Sequence, residues 1–256
     1  MAEALNESHR RFLQTMMSQG ILEGSMTRKL HKHCCETCKV DYRHDQLDEF
    51  IKNINTHLQP LFMQIRKGMN ENDGQQHYAL INLAETEITR MAFDYTETEL
   101  ELFKKTMDLV LESENGMVSS TDVLNLADQL QPKKMKKKEV EQVLLRFVQD
   151  KWLCEKDGEY ILSTRCIMEL EQYIRNMYPE KDCNICHSIT IQGQTCEVCG
   201  AKIHFPCAAK YFRGLEDPCC PKCKQFWPHE IPDVSKTEQC MPPPSSTPKM
   251  RRRYHE

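Results

Sequence analysis

No stretch of this 256-residue sequence approaches the ~20 consecutive apolar residues that a bilayer-spanning helix needs, which excludes a helical membrane span. The opening residues, MAEALNESHRRF, lack the basic-then-apolar layout of a secretory signal, so the expectation is an intracellular, reducing compartment. A glycine-rich phosphate loop is missing, and with it any reason to expect nucleotide chemistry. Positive charge is not in excess either. The net charge of −4 excludes a chain coated for nucleic acid and leaves only local basic patches for such contacts. Prolines are few before residue 178, as suits a helix-rich region, and large apolar side chains are scarce across residues 183–228. A segment that short cannot build a sufficient hydrophobic core and needs another source of folding energy.

Cysteine is abundant instead. Of the 14 cysteines, 8 fall between Cys183 and Cys223. In a chain expected to be reduced, C-x-x-C pairs point to zinc rather than to disulfides. The candidate ligands arrive as four pairs: Cys183 and Cys186, Cys196 and Cys199, His204 and Cys207, Cys220 and Cys223. In a cross-braced arrangement, the first and third pairs hold one ion and the second and fourth hold the other. Cys183, Cys186, His204 and Cys207 are then zinc one, and Cys196, Cys199, Cys220 and Cys223 are zinc two. Each ion has four protein ligands and no position for water, so both Zn2+ ions are expected to be structural rather than hydrolytic. The doubled cysteine in EDPCCPKCK (216–224) leaves one thiol spare. Cys220 restores C-x-x-C with Cys223, and Cys219 is the bystander.

The remaining chain divides by pattern. Thr96 and Glu99 form a capping-box signature, followed by Leu100, Phe103, Met107 and Val110 at helical spacing up to Asn115-Gly116. Val123, Leu126, Ala127 and Leu130 suggest a second helix. Val140, Val143, Leu144, Phe147 and Val148 suggest a third. In WLCEKDGEYIL, Asp157-Gly158 joins two short apolar runs as a hairpin, and Ile167, Leu170, Ile174 and Met177 mark a closing helix. Three helices and a hairpin follow the order of a winged-helix domain. Residues 1–95 read as a looser version: helices near 8–18, 25–38 and 45–59, then LFMQIRKGM, a polar turn at Asp73-Gly74, and HYALINLAE. The expected fold is mainly α with small β-hairpins. It comprises winged-helix domains over 1–95 and 96–178, a two-zinc cross-braced RING-like domain over 183–228, and a disordered, proline-rich tail over 233–256.

Two uses suit such a zinc module: docking a ubiquitin-conjugating enzyme, as RING domains do, or reading a peptide, as PHD fingers do. Ile185 lies where RING domains present an apolar contact to the conjugating enzyme. Pro221 gives the C-P-x-C ending, and Lys224 follows the last ligand, where RINGs often place a cation. With tandem wings before it and a polar tail after it, this module resembles the non-SMC element one family, the RING-like subunits of the SMC five–six complex. The resemblance covers essentially the whole chain and is most specific from Cys183-x-x-Cys186 through Cys220-Pro-Lys-Cys223. It implies a nuclear, chromosome-associated protein acting in DNA repair by homologous recombination. It also implies winged helices that bind a MAGE-family subunit, which stimulates ubiquitin-ligase activity, and a subcomplex that engages the kleisin subunit. AAKYFRGLEDP lacks the tryptophan common in the third RING loop, so ligase activity is expected to depend on the partner. The alternative is a non-enzymatic chromatin adaptor with a PHD-like module that scaffolds or reads a peptide.

Three weaker signals remain. His31, Cys35 and Cys38 share helical spacing that could converge on a metal, although Met26, Leu30, Cys34 and Cys38 continue one apolar stripe. The lysines of KKMKKK (133–138) suit a weak DNA contact, nuclear import or a solvated face. The terminal PKMRRR, Lys104-Lys105 and Arg66-Lys67 add little to either reading.

Overall fold

The computed structural model describes residues 4–83 and 95–233. All but the first residue of the expected 233–256 tail, and the end of the first expected domain, lie outside these residues. The described chain is helix-rich, with small sheets.

Helix α1 (Glu7–Gln19) starts where the Asn6 side chain accepts the His9 N–H, at 3.1 Å. Then follow β1 (Ile21–Glu23), α2 (Gly24–Thr37), α3 (Leu47–Leu58), β2 (Met63–Met69) and β3 (Gln76–Asn82). The strands form one antiparallel sheet in the order β1-β3-β2, with Ile65 opposite Leu80 and Ile21 opposite Ala79. Phe12, Met16, Ile51, Ile54 and Ile65 are buried in its core.

The second unit repeats this order. It contains α4 (Glu97–Glu112), β4 (Val118–Ser119), α5 (Ser120–Asn125), α6 (Lys137–Gln149), β5 (Leu153–Lys156) and β6 (Glu159–Leu162). Its sheet order is β4-β6-β5, again first-third-second. The capping box at α4 is present in full: Glu99 N–H donates to Thr96 Oγ1 at 3.4 Å, and Thr96 N–H donates to Glu99 Oε2 at 2.7 Å. Asp157 and Gly158 both have positive φ, 54° and 81°, the backbone that a two-residue type I′ hairpin turn requires. Two details depart from the helical periodicity. The stripe from Val123 to Leu130 is only partly α-helical, because α5 gives way to a 3-10 turn at Leu126–Gln129. The closing helix breaks at Leu170 into α7 (Thr164–Glu169) and α8 (Glu171–Met177).

These closing helices join the two units. Met168 packs on Ala79 and Ile81 of the first sheet, and Arg66 forms an ion pair with Glu171 at 2.7 Å. The zinc segment carries β7 (Gln194–Thr195), β8 (Lys202–Ile203) and α9 (Phe205–Tyr211). It is not set apart from the body, since Ile189 and Ile191 are buried in the core of the second unit.

Candidate metal centre

Three C-x-x-C loops share one local shape. In each, the residue after the second cysteine donates its N–H to the carbonyl of the first: His187 to Cys183 at 2.9 Å, Gly200 to Cys196 at 2.9 Å and Lys224 to Cys220 at 3.0 Å. All three residues have positive φ: 59°, 69° and 63°. Glycine takes this conformation without penalty, whereas His187 and Lys224 take it at a cost of about 1–2 kcal/mol each. The hydrogen bond from Lys224 sets the register of EDPCCPKCK. Cys220 is buried inside the knuckle, and Cys219 is exposed outside it. His204 and Cys207 come from a different element, at the start of α9, with His204 as the N-cap residue.

The pairs converge as alternating sets. The ligand atoms of Cys183, Cys186, His204 and Cys207 all lie within 4.8 Å of one another, and so do those of Cys196, Cys199, Cys220 and Cys223. Tetrahedral zinc with bonds of about 2.3 Å to sulfur has sulfur–sulfur edges of about 3.8 Å, and about 3.6 Å where one ligand is nitrogen. In the second group, Cys196 Sγ is 3.7 Å from Cys223 Sγ, and Cys199 Sγ is 3.7 Å from Cys220 Sγ. In the first, His204 Nδ1 is 3.4 Å from Cys186 Sγ and 3.7 Å from Cys207 Sγ. These spacings are far too long for disulfides and fit a tetrahedral ion in size and donor chemistry.

Neighbouring thiols within each group differ in ionisation: Cys183 and Cys196 are driven down, whereas Cys207, hydrogen-bonded to Cys183, and Cys223 are driven up. Hydrogen bonding from Cys207, aided by His204 and backbone N–H groups, holds the Cys183 thiol far below its usual range. Burial opposes ionisation of Cys196, but hydrogen bonds from the Cys199 and Val198 N–H groups outweigh it and bring the thiol down to about 7. The tautomer of His204 follows from its neighbours. Its Nε2 faces only acceptors or a hydroxyl: Ile189 O at 2.8 Å, Thr190 Oγ1 at 3.1 Å and Glu71 Oε1 at 3.3 Å. With an ion at Nδ1, Nε2 is therefore the nitrogen that keeps the proton.

The other sequence candidates sit as follows. Ile185 is half-buried against the module's core, Pro221 is half-buried, and exposed Lys224 donates from Nζ to Pro221 O at 2.9 Å. Among the described residues, His31, Cys35 and Cys38 belong to no such ligand group. His31 instead packs on Phe50, with ring centroids 4.4 Å apart, and Cys34 and Cys35 are buried. The five lysines of 133–138 are exposed at the start of α6. Arg66 is engaged by Glu171, and the terminal PKMRRR lies outside the described residues.

Pattern reading misses Glu71, Lys202 and Trp227. Glu71 and Lys202 are charged yet only 7% and 8% exposed, and nothing in their local sequence signals it. Trp227 closes the module's core against Phe212, with ring centroids 5.2 Å apart. Its position just beyond the last ligand was the available clue.

Alternating ligand pairs within residues 183–223, mounted on two repeated helical units, define a cross-braced RING-like module whose two clusters could bind zinc, with a helix-rich body. A family model described as a RING-like domain matches residues 183–223, and the model for the Nse1 non-SMC component of the SMC5-6 complex matches residues 9–170. The second match spans more than half the chain, and the chain belongs to that family. It is 58% identical over 255 residues to the non-structural maintenance of chromosomes element 1 homolog of Xenopus tropicalis, covering 99% of this chain and 94% of the relative. With the Homo sapiens protein of that name it shares 52% over 237 residues, 92% of this chain and 89% of the relative. A solved structure titled Nse1-Nse3-Nse4 complex contains a chain 59% identical to this one. The two align with a TM-score of 0.84 over 90% of this chain and 100% of that one.

Proposed function

We propose that this chain is the RING-type ubiquitin-ligase subunit of an SMC5-6 complex. It would act in the nucleus, on chromosomes, in DNA repair by homologous recombination. The observation that carries this reading is the pair of four-ligand groups with tetrahedral spacing, in a chain similar along nearly its full length to element 1 proteins. Cys183, Cys186, His204 and Cys207 hold one zinc, and Cys196, Cys199, Cys220 and Cys223 hold the other. Bound zinc supplies folding energy, roughly 10–16 kcal/mol in small zinc-finger peptides, and no open coordination position.

The two units are winged helices. The repeated order helix-strand-helix-helix-strand-strand with a first-third-second sheet supports this assignment. Their partners are a MAGE-family winged-helix subunit and a kleisin, consistent with the Nse3 and Nse4 of the similar solved complex. The chain performs no covalent chemistry itself. Ile185, Pro221 and Lys224 dock a ubiquitin-conjugating enzyme and orient its thioester, a gain that comes from positioning. The lysines of 133–138 contribute a weak DNA contact.

The half-burial of Ile185 favours a second reading, a scaffold or peptide-reading adaptor without ligase activity. Discharge of ubiquitin from a charged conjugating enzyme, measured with the chain bound to its MAGE-family partner, separates the two. Ile185→Ala lowers the discharge rate about 10-fold with both zinc ions retained if the ligase reading holds; about 10-fold corresponds to 1.4 kcal/mol of transition-state positioning. No discharge with any conjugating enzyme tested leaves the adaptor.

A further inference from the structure

Glu71 lies in the turn between β2 and β3 of the first unit, far in sequence from the zinc segment it touches. The turn is organised locally: Asn70 Oδ1 accepts the Asn72 N–H at 2.9 Å, and Asp73 Oδ1 accepts the Gln75 N–H at 2.8 Å. From it, the Glu71 carboxylate enters the protein and accepts two backbone N–H groups, Ile191 at 2.7 Å and Gln192 at 3.3 Å. Its Oε1 also lies 3.3 Å from His204 Nε2. The carbonyl of Ile191 accepts a 2.6 Å hydrogen bond from Lys202 Nζ in β8, while the Ile191 side chain is buried in the core of the second unit. All three parts of the molecule therefore meet at one residue, Ile191. One residue earlier in the strut, Thr190 Oγ1 lies 3.1 Å from His204 Nε2, and Ile189 O accepts from the same nitrogen.

A buried carboxylate costs free energy unless it is compensated. Two N–H donors, the imidazole N–H and nearby Lys202 compensate this one. A carboxylate beside the outer N–H of a ligating imidazole orients the ring and raises its basicity toward the metal. We propose that Glu71 is a positioning residue for zinc one. It holds the 189–192 strut and the His204 ring so that Nδ1 faces the ion, and it couples that ion to the seating of the zinc module on the first unit. Coupling of this kind is reciprocal: whatever loosens zinc one also frees the 70–76 turn. This inference rests on the two-zinc reading.

The test uses the full-length chain and the release of zinc to the colorimetric chelator 4-(2-pyridylazo)resorcinol. Elemental analysis first establishes two zinc ions per chain; fewer than two overturns the zinc reading and this proposal with it. In Glu71→Gln, one of the two ions leaves about 10-fold faster or more, and the other keeps its rate. Arg66→Ala, which breaks the neighbouring Arg66–Glu171 bridge, leaves both rates unchanged. Unchanged release in Glu71→Gln, equal acceleration of both ions, or equal acceleration in Arg66→Ala overturns the proposal. Should Glu71→Gln not fold, amide exchange in the 70–76 turn decides instead. Exchange there accelerates in Cys207→Ser and not in Cys199→Ser, and the same exchange in both variants overturns the coupling.

Discussion

The two ligand groups are built from the same knuckle but stand in different surroundings. The second group is enclosed by the zinc segment itself. Cys196 N–H bonds to Ala201 O at 2.9 Å and Cys220 N–H to Gln225 O at 2.8 Å, beside the Phe212–Trp227 pair. The first group is walled by residues from elsewhere, because its histidine meets Glu71 and the strut whose isoleucines fill the second unit's core. A C-x-x-C spacing therefore determines how thiolates point, while the long-range packing determines what losing the ion disturbs.

Ligand removal tests that difference most severely. Cys183→Ser and Cys220→Ser should each reduce the zinc content from two ions to one, with a loss of several kcal/mol to the zinc segment. Cys183→Ser should also lower the thermal midpoint of the helical body and expose the 188–193 strut to protease. Cys220→Ser should leave the body's transition in place. Equal effects on the body would show that the two groups are not differently anchored.

A core truncation tests the anchor without touching a ligand. Ile191 is almost fully buried, so Ile191→Ala should cost about 2–5 kcal/mol in denaturant unfolding. The loss should fall on the second unit's transition with both zinc ions still bound. A loss confined to zinc content would place Ile191 with the module instead of the body.

The smallest effects concern the thiols outside the groups. Cys219→Ser should leave the zinc content at two ions and change stability by less than about 0.5 kcal/mol, since its side chain is exposed. With iodoacetamide at pH 8, Cys219 should be modified in the native chain while Cys34 and Cys166 resist. Burial, and then the neighbouring Cys38 and Cys35, push the Cys34 thiol up to about 11; burial, and then Glu169, push Cys166 higher still. Rapid native labelling of Cys34 or Cys166 would contradict the packing described for α2 and α7.

The legible features are those whose cause is local. Thr96 and Glu99 cap a helix because four residues suffice to pair two backbone N–H groups reciprocally. Asp157-Gly158 turns a hairpin because both residues tolerate positive φ. Strands β1 and β4 were not legible: three and two residues carry no period, and they become strands only by pairing with β3 and β6. The break at Leu170 was hidden as well, because α7 turns aside to lay Met168 on the first sheet. Sequence position marks Lys224 as the cation that RINGs often place after the last ligand; only the folded loop reveals that its Nζ donates to the carbonyl of Pro221.

By itself, then, the sequence determined the cysteine and histidine spacings, the caps and turns, and the family. Each of these depends on residues a few positions apart, where covalent geometry limits the choices. Only the tertiary structure decided that a glutamate in a polar turn would lie buried against a candidate zinc ligand 133 positions away. Burying a carboxylate is favourable only where donors from distant segments surround it, and no local pattern records where those segments will meet.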